Sequence, residues 1–500
     1  PATLQRMLTA LWTDMDRGGF SVALAQTVLR FNGKLFKGAT DDAYSLPLTR
    51  AQVDLLLAAA HANWREVEPA IFGALLERAL DPAERHALGA HYTPRAYVER
   101  LVLPTVMEPL RAEWADAQAA ALLLAHEAAE LDGRARDARM DAARAELRRF
   151  HHRLCTLRVL DPACGSGNFL YVTLEHLKRL EGEVLNQLAA LGETQDKLAF
   201  EGETVTPQQL LGLEVNARAA ALAELVLWIG YLQWHIRTRG DRAVAEPVVH
   251  DWGNIQCRDA VLAWSAQRPL LDAQGALRTR WDGRSYIPHP ATGEPVPDPA
   301  AQVPQWQYDQ PRAADWPQAD YIVGNPPFIG AAAMRAALGD GYVDALRAAW
   351  PDVPDSADFV LFWWHAAARK VAAGEARRFG FITTNSLRQT FNRRVVQSAL
   401  QDGLKLVYAI PDHPWVDSTS GAAVRIAMTV AEQDAGEGRL QTVTAEVPGD
   451  YGEMIVQLRE QTGLIHADLT VGPNLLSAQP LKANLGLSNR GGQLFVAGFI

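Results

Sequence analysis

Short strand-like runs recur along the middle of the chain, at 211–215, 321–325, 378–385, 404–410 and 423–430, after a first that ends at Asp161. Between most of them lie stretches with apolar residues at three- and four-residue spacing. Strands that alternate with helices pair in parallel and leave helices on both faces of one sheet. The fold expected is therefore α/β, with a doubly wound, mostly parallel sheet. Residues 1–88 carry helical periodicity, as in "AQVDLLLAAAHANW" and "PAIFGALLERALD". Residues 105–154, rich in Ala, Arg and Glu, predict a helical excursion broken near "LDGRARD". Residues 281–318, rich in Pro, Asp and Gln, predict a long loop. The organisation expected is a helical region over 1–88, a core over 89–440 carrying those two insertions, and a linker or further region over 441–500. The chain opens at Pro1 and stops at "LFVAGFI" without a terminal cap, from which missing ends are expected.

The 500 residues suffice for two or three domains. A net charge of -10 argues mildly against nucleic acid as a partner, although a local basic face can coexist with it. Cys155, Cys164 and Cys257 are scattered and show no paired spacing. Neither a disulfide framework nor a metal site is expected, and a reducing cytoplasm is. No uninterrupted apolar window has the length of a membrane span.

Two stretches carry the chemistry. "VLDPACGSGNF" (159–169) reads as strand, glycine-rich turn and helix start. Its glycines admit close approach of a ligand to the backbone, and the helix N-terminus favours an acceptor-rich or anionic group. It lacks the third glycine of a dinucleotide fingerprint, and no Gly-Lys-Ser/Thr of a phosphate loop occurs in the chain. A purely structural turn is the plain alternative. "GNPPFIG" (324–330) places Asn325, two prolines and Phe328 directly behind an apolar strand end. Prolines at both positions fix the backbone of that tip.

Asp-Pro-Ala-Cys-Gly-Ser-Gly-x-Phe resembles the S-adenosylmethionine-binding motif of class I amino-methyltransferases acting on DNA, whose fold is a Rossmann-like, seven-stranded sheet. The resemblance implies that Asp161, Ala163, Gly165, Gly167 and Phe169 line the cofactor site. It implies that Glu214, ending the next strand, accepts hydrogen bonds from ribose hydroxyls, and that Asp259 in "NIQCRDAVL" faces the cofactor's adenine. "LGAHYTPRAYVERLV" (88–102) is similar to the family's N-terminal cofactor motif, with Tyr92 and Thr93 as contacts. Thr93 and Pro94 equally suit an ordinary helix start.

The Asn-Pro-Pro-Phe tip answers a difficulty of amine methylation, because the lone pair of an exocyclic amine is delocalised into the base. Acceptors at the Asn325 side chain and the Pro326 carbonyl, stiffened by Pro327, can draw the nitrogen toward a tetrahedral shape and stabilise its growing charge. Phe328 can stack on the base, the resemblance implies that Asn325 also borders the cofactor, and no strong base is needed. A stacked base cannot reach such a tip, so the target must be flipped out. Downstream, the resemblance implies that Asp358 and Phe359 border the cofactor site, while Phe362, Trp363 and Trp364 fit a core face. Arg377, Arg378, Arg388, Arg393, Arg394 and Lys405 face only Asp402 in opposition, which suits either phosphate contacts or a solvated surface. The resemblance makes Trp415 the candidate second base-stacking aromatic.

The order of these motifs resembles the gamma group of adenine-N6 DNA methyltransferases. "FNGKLFKG", "PAIFGALLERALDPAERHALGAHYTP", "YIVGNPPFIG", "GFITTNSLRQT" and "LKANLGLSNRGGQL" together are similar to the MmeI-type family of restriction–modification and phage-defence enzymes, over most of residues 30–500. That implies double-stranded DNA as partner, further defence subunits as possible companions, and no membrane. None of the seven lysines has Glu two residues before it, so no Glu-x-Lys nuclease is expected here. RNA methyltransferases and release-factor glutamine methyltransferases share an Asn-Pro-Pro-aromatic tip and are the rival readings, beside a non-catalytic DNA-binding subunit. Cytosine ring methylation is excluded, since the chain has no Pro-Cys dipeptide.

Overall fold

The apolar runs become strands whose residues alternate between two hydrophobic layers, as the two-residue period of a pleated strand requires. The computed structural model describes residues 2–28, 47–62, 67–69, 93–193, 203–239, 253–283, 285–415, 424–433, 436–448 and 454–473, with residues 30, 36 and 71. The central sheet comprises β1 (Val159–Asp161), β2 (Leu210–Glu214), β3 (Ile255–Cys257), β4 (Tyr321–Gly324), β5 (Arg378–Thr384), β6 (Leu404–Pro414), β7 (Arg425–Gln433), β8 (Gly438–Pro448) and β9 (Met454–Gly463). Val159, Tyr321, Val323 and Ile382 enter one layer. Leu160, Ile322, Phe379 and Phe381 enter the other.

The strand order is β9-β8-β6-β7-β5-β4-β1-β2-β3. From β5 through β4, β1 and β2 to β3 every neighbour is parallel. β7 runs antiparallel between β5 and β6, and β9 runs antiparallel to β8. The sheet is thus mixed and nine-stranded, not seven-stranded. β8 and β9 extend it beyond residue 441, where a linker or a further region was expected.

The first layer is closed by α3 (Arg95–Val102), a π-helical turn (Leu103–Met107), α4 (Glu108–Ala129), α5 (Gly133–Thr156), α6 (Asn168–Ala190) and α7 (Ala217–Arg239). The second is closed by α8 (Met334–Leu338), α9 (Asp340–Ala349), α10 (Val360–Ala372) and α11 (Thr390–Gln401). Trp363 and Trp364 on α10 are core residues, and the indole N–H of Trp363 donates to the Pro162 carbonyl at 2.9 Å. The expected break in the helical excursion falls between α4 and α5. By length and composition alone, Ala217–Arg237 within α7 could cross a membrane. In the fold it lies against α6, β2 and β3.

The N-terminal region holds α1 (Ala2–Arg17) and α2 (Arg50–His61), but also a small hairpin pairing Gly19–Ser21 with Gln26–Val28. The "PAIFGALLERALD" pattern lies almost wholly outside the described residues. A larger departure concerns 281–318. Residues 262–283 and 285–313 form a nested antiparallel ribbon in which Ala266–Pro269 pairs with Trp306–Asp309, Thr279–Trp281 with Gln302–Pro304 and Tyr286–Pro288 with Pro295–Pro297. Proline density reads as loop because a central strand cannot spare the N–H. A two-stranded ribbon has only edge strands, so Pro288, Pro295 and Pro304 are tolerated.

Gly380 of β5 lies against the π-helical turn, where a Cβ would collide with the Thr105 hydroxyl. That hydroxyl is held by donation to the Leu101 carbonyl at 2.6 Å. Gly380→Ala should therefore overpack the first layer and lower stability by ~1–3 kcal/mol, read as a lower urea midpoint.

Candidate active site

Parallel pairing brings the C-terminal ends of β1, β2, β4 and β5 to one edge, and the sequence-derived candidates converge there. The first is the glycine turn. Gly165 has φ +53° and Gly167 +83°, values that favour glycine. A Cβ on Gly165 would point into open space, whereas one on Gly167 would sit 3.1 Å from Ala223 of α7. One glycine thus keeps a cradle clear, and the other lets α6 and α7 pack closely. Phe169, one turn on, is buried in the first layer.

Two carboxylates support the turn. Asp161 accepts the Ala163 amide at 3.0 Å through Oδ1, while its buried Oδ2 has no partner. Burial raises its pKa to about 8, with the Glu214 charge adding to the effect. Glu214 accepts the amides of Gly165 at 3.0 Å and Asn216 at 2.8 Å, and burial pushes it up as well. Asp259 is raised by burial too. One of its oxygens accepts the Val261 and Leu262 amides, and the other the Tyr342 hydroxyl at 2.7 Å. Its carboxylate is therefore already oriented by a second-layer tyrosine, a partner that sequence order could not reveal.

The Asn-Pro-Pro-Phe tip leaves the end of β4 beside this turn. A Cβ on Gly324 would lie 2.5 Å from Asp161 Oδ1, so Asp161 touches the tip itself. Asn325 Nδ2 donates to Thr93 Oγ1 at 3.0 Å, and its buried Oδ1 has no partner. Thr93 in turn accepts Asn168 Nδ2 on its carbonyl at 2.6 Å, and the buried Asn168 Oδ1 is also bare. Thr93, expected as a cofactor contact, thus has its hydroxyl engaged by the tip. Tyr92 lies outside the described residues. Asn168 went unnoticed because an asparagine opening a helix looks like an ordinary terminus.

Beyond the tip, Asp358 takes the Ala331 amide at 3.0 Å, Ser386 Oγ at 2.7 Å and Asn392 Nδ2 at 2.7 Å. It ties the segment following Phe328 to the loop after β5. Phe328 is half-buried, and the Trp415 ring stands edge-on to it at 6.2 Å between centroids. Trp415 is only 6% exposed and also packs on Tyr97, so it braces Phe328 instead of presenting an open face to a base. His413 and Tyr97 both donate to the Pro414 carbonyl, at 2.7 and 2.9 Å. Burial lowers the His413 pKa to about 4, keeping it neutral beside Arg100.

The cation-rich stretch does not form one face. Arg377 pairs with Glu113 and Glu432, Arg378 with Glu432, and Lys405 stands in register with Glu432, all at the far end of the sheet. A cavity of about 640 Å³ at that end is lined partly by Arg153 and Arg377, whose charges are already paired. Arg388, Arg393 and Arg394 remain at the site end, where Arg388 and Arg394 are exposed and Arg394 lies 5.5 Å over the exposed Phe391 ring.

The sequence profile of the family described as "MmeI, DNA-methyltransferase domain" matches residues 136–441. The chain belongs to this family. It is 22% identical over 408 residues to DNA methyltransferase A of Bacillus subtilis (strain 168), covering 80% of this chain and 37% of that protein. It is 23% identical over 323 residues to the adenine-specific methyltransferase PglX of Streptomyces coelicolor, covering 62% of this chain and 23% of that one. Among solved structures, the type IIL restriction–modification enzyme MmeI in complex with DNA shares the fold with a TM-score of 0.63 at 23% identity, over 94% of this chain and 54% of that one. The chain therefore spans between about a quarter and a half of the length of these relatives.

Asp161 supplies a pH test of the site's electrostatics. An ordinary aspartate titrates near ~3.9, so between there and about 8 the fold keeps a proton that the unfolded chain has lost. Its contribution to stability is complete below the unfolded pKa and fades as pH rises through the folded one, by as much as ~1.4 kcal/mol per unit. The urea midpoint of ligand-free protein should fall between pH 5 and pH 8, and Asp161→Asn should flatten that fall.

Proposed function

We propose that this chain is a DNA adenine-N6 methyltransferase of a restriction–modification or phage-defence system, using S-adenosylmethionine as methyl donor and acting on a flipped adenine. The observation that carries the reading is the Asn325 amide: its N–H end is tethered, and its oxygen is buried, bare and rigidly held beside a glycine cradle. Family membership and relatives named as DNA and adenine-specific methyltransferases support it. Within the nine strands, the order β3-β2-β1-β4-β5-β7-β6 with β7 reversed supports the class I, Rossmann-like description.

The residues fit the donor. Gly165 leaves space at the turn, its amide direction is set by Glu214, and Ala163 and the bare Asp161 oxygen line the same strand tip. Asp259, held by Tyr342, is assigned the adenine end, and Glu214 the ribose. When bound there, S-adenosylmethionine supplies an electrophilic methyl group on a sulfonium. The protein's part is to present the amine. Asn325 Oδ1 and the Pro326 carbonyl accept its two hydrogens, pulling the lone pair out of conjugation and stabilising the positive charge that grows on nitrogen. Pro326 and Pro327 hold these acceptors at small entropic cost. Phe328, braced by Trp415, offers the flipped base a stacking face. The proton is lost to water after methylation, when it has become acidic, so no buried base is required. Arg388, Arg393 and Arg394 are assigned to backbone phosphates.

Transfer of tritiated methyl from S-adenosylmethionine to unmodified duplex DNA, RNA and a release factor, assayed in parallel, distinguishes the substrate classes. Label is expected in DNA, as N6-methyladenine. Asn325→Ala should bind the cofactor normally and lose at least ~100-fold in turnover, the scale of removing one preorganised polar group. Gly165→Arg, which forces a side chain into the cradle at positive φ, should abolish cofactor binding. Label in protein, or full turnover by Asn325→Ala, would falsify the assignment.

A further inference from the structure

The two prolines fix the backbone of the tip, but they do not decide which end of the Asn325 amide faces the target. Oxygen and nitrogen exchange places by a half-turn about the terminal side-chain bond, at almost no cost in shape. Turned one way, the amide accepts from the target amine. Turned the other, it sets N–H against N–H and repels it.

We infer that Thr93 is the positioning residue of this amide: its hydroxyl accepts from the nitrogen and tethers the side chain, so that the oxygen can meet the amine. The inference rests on the methyltransferase reading above and adds a residue to it. Among the described residues, Thr93 Oγ1 is the partner of the Asn325 side chain, at 3.0 Å. Thr93 is 5% exposed, so bulk water does not substitute for it.

Thr93 is itself immobilised from two directions. Its carbonyl is held by Asn168 Nδ2 at 2.6 Å, from the first residue of α6. The next residue, Pro94, has its carbonyl engaged by the Tyr97 and Val98 amides at 2.9 and 3.1 Å, which fixes it to the start of α3. One residue therefore spans the helix behind the glycine turn and the tip that presents the amine. Both amides tied to it, Asn168 and Asn325, end in buried oxygens without partners. Only the Asn325 tie uses the hydroxyl, so the two ties can be separated by substitution. Thr93→Val keeps the shape and the carbonyl, and removes the hydroxyl that tethers Asn325.

The test uses the full-length protein with genomic-length unmodified duplex DNA and tritiated S-adenosylmethionine. Cofactor affinity is measured separately by calorimetry. Losing the acceptor strands a buried NH2 group and lets the amide turn, so kcat of Thr93→Val should fall about tenfold or more. The Kd and KM for S-adenosylmethionine should stay within about threefold of wild type, because the glycine cradle is untouched. Thr93→Ser restores the hydroxyl and should recover kcat to within about threefold. The inference is overturned if Thr93→Val keeps the wild-type kcat, if its cofactor affinity falls as far as its kcat, or if Thr93→Ser is as impaired as the valine variant. Wild-type protein that binds S-adenosylmethionine yet transfers no methyl to DNA sinks the underlying reading instead, and the inference with it.

Discussion

The candidate site hangs on the parallel pairing of β4 between β1 and β5. Tyr321 is in register with Val159 on one side and Arg378 on the other, so the three strands advance together. A slip of one residue would exchange the layers, driving Tyr321 and Val323 toward the side that Ile322 fills. It would also carry Asn325 away from Asp161 and Thr93. Tight packing on both faces therefore sets the position of the amide, and the polar contacts at the edge refine it.

Much of this could be read from residue order, and the reasons differ by element. The parallel strands β1, β2, β4 and β5 were legible because each is a short, mainly apolar run, as buried parallel strands tend to be. The glycine turn was legible because its backbone conformation restricts residue choice. The ribbon at 262–313 was not, since proline in an edge strand and proline in a loop look alike. β8 was missed as part of the sheet because pairing with β6 is a long-range event, recorded only at Tyr408–Arg439 and Ala409–Leu440. Trp415 shows a subtler limit: sequence order placed an aromatic near the tip, but whether it meets a base or supports Phe328 depends on burial. The ties of Thr93 to Asn168 and Asn325 join three distant segments, and no local pattern announces them.

Charge tells a similar story. The overall balance of -10 says little about the edge that matters. Glu113 and Glu432 neutralise the arginines at the far end of β5, while Arg388 and Arg394 stay exposed beside the strand tips. Carboxylates pair the cations at one end, while at the other Arg394 is exposed over Phe391 and Arg388, though exposed, donates to the Asp468 carbonyl at 3.1 Å, which leaves an acidic protein a local basic surface.

The ribbon between β3 and β4 has a consequence for how the chain finds its fold. β4 must pair with β1 across more than a hundred and fifty intervening residues, a separation that slows the search for native pairing. Much of the later part of that span is zipped onto itself, with Leu262–Ala263 brought against Arg312–Ala313 at the ribbon's base. Once the ribbon closes from its tip, the connection between β3 and β4 behaves as a short tether, and the cost of closing the loop shrinks accordingly. An insertion of this length can therefore be carried inside a central sheet with little penalty to its assembly, because its own hydrogen bonds return its two ends to the same place.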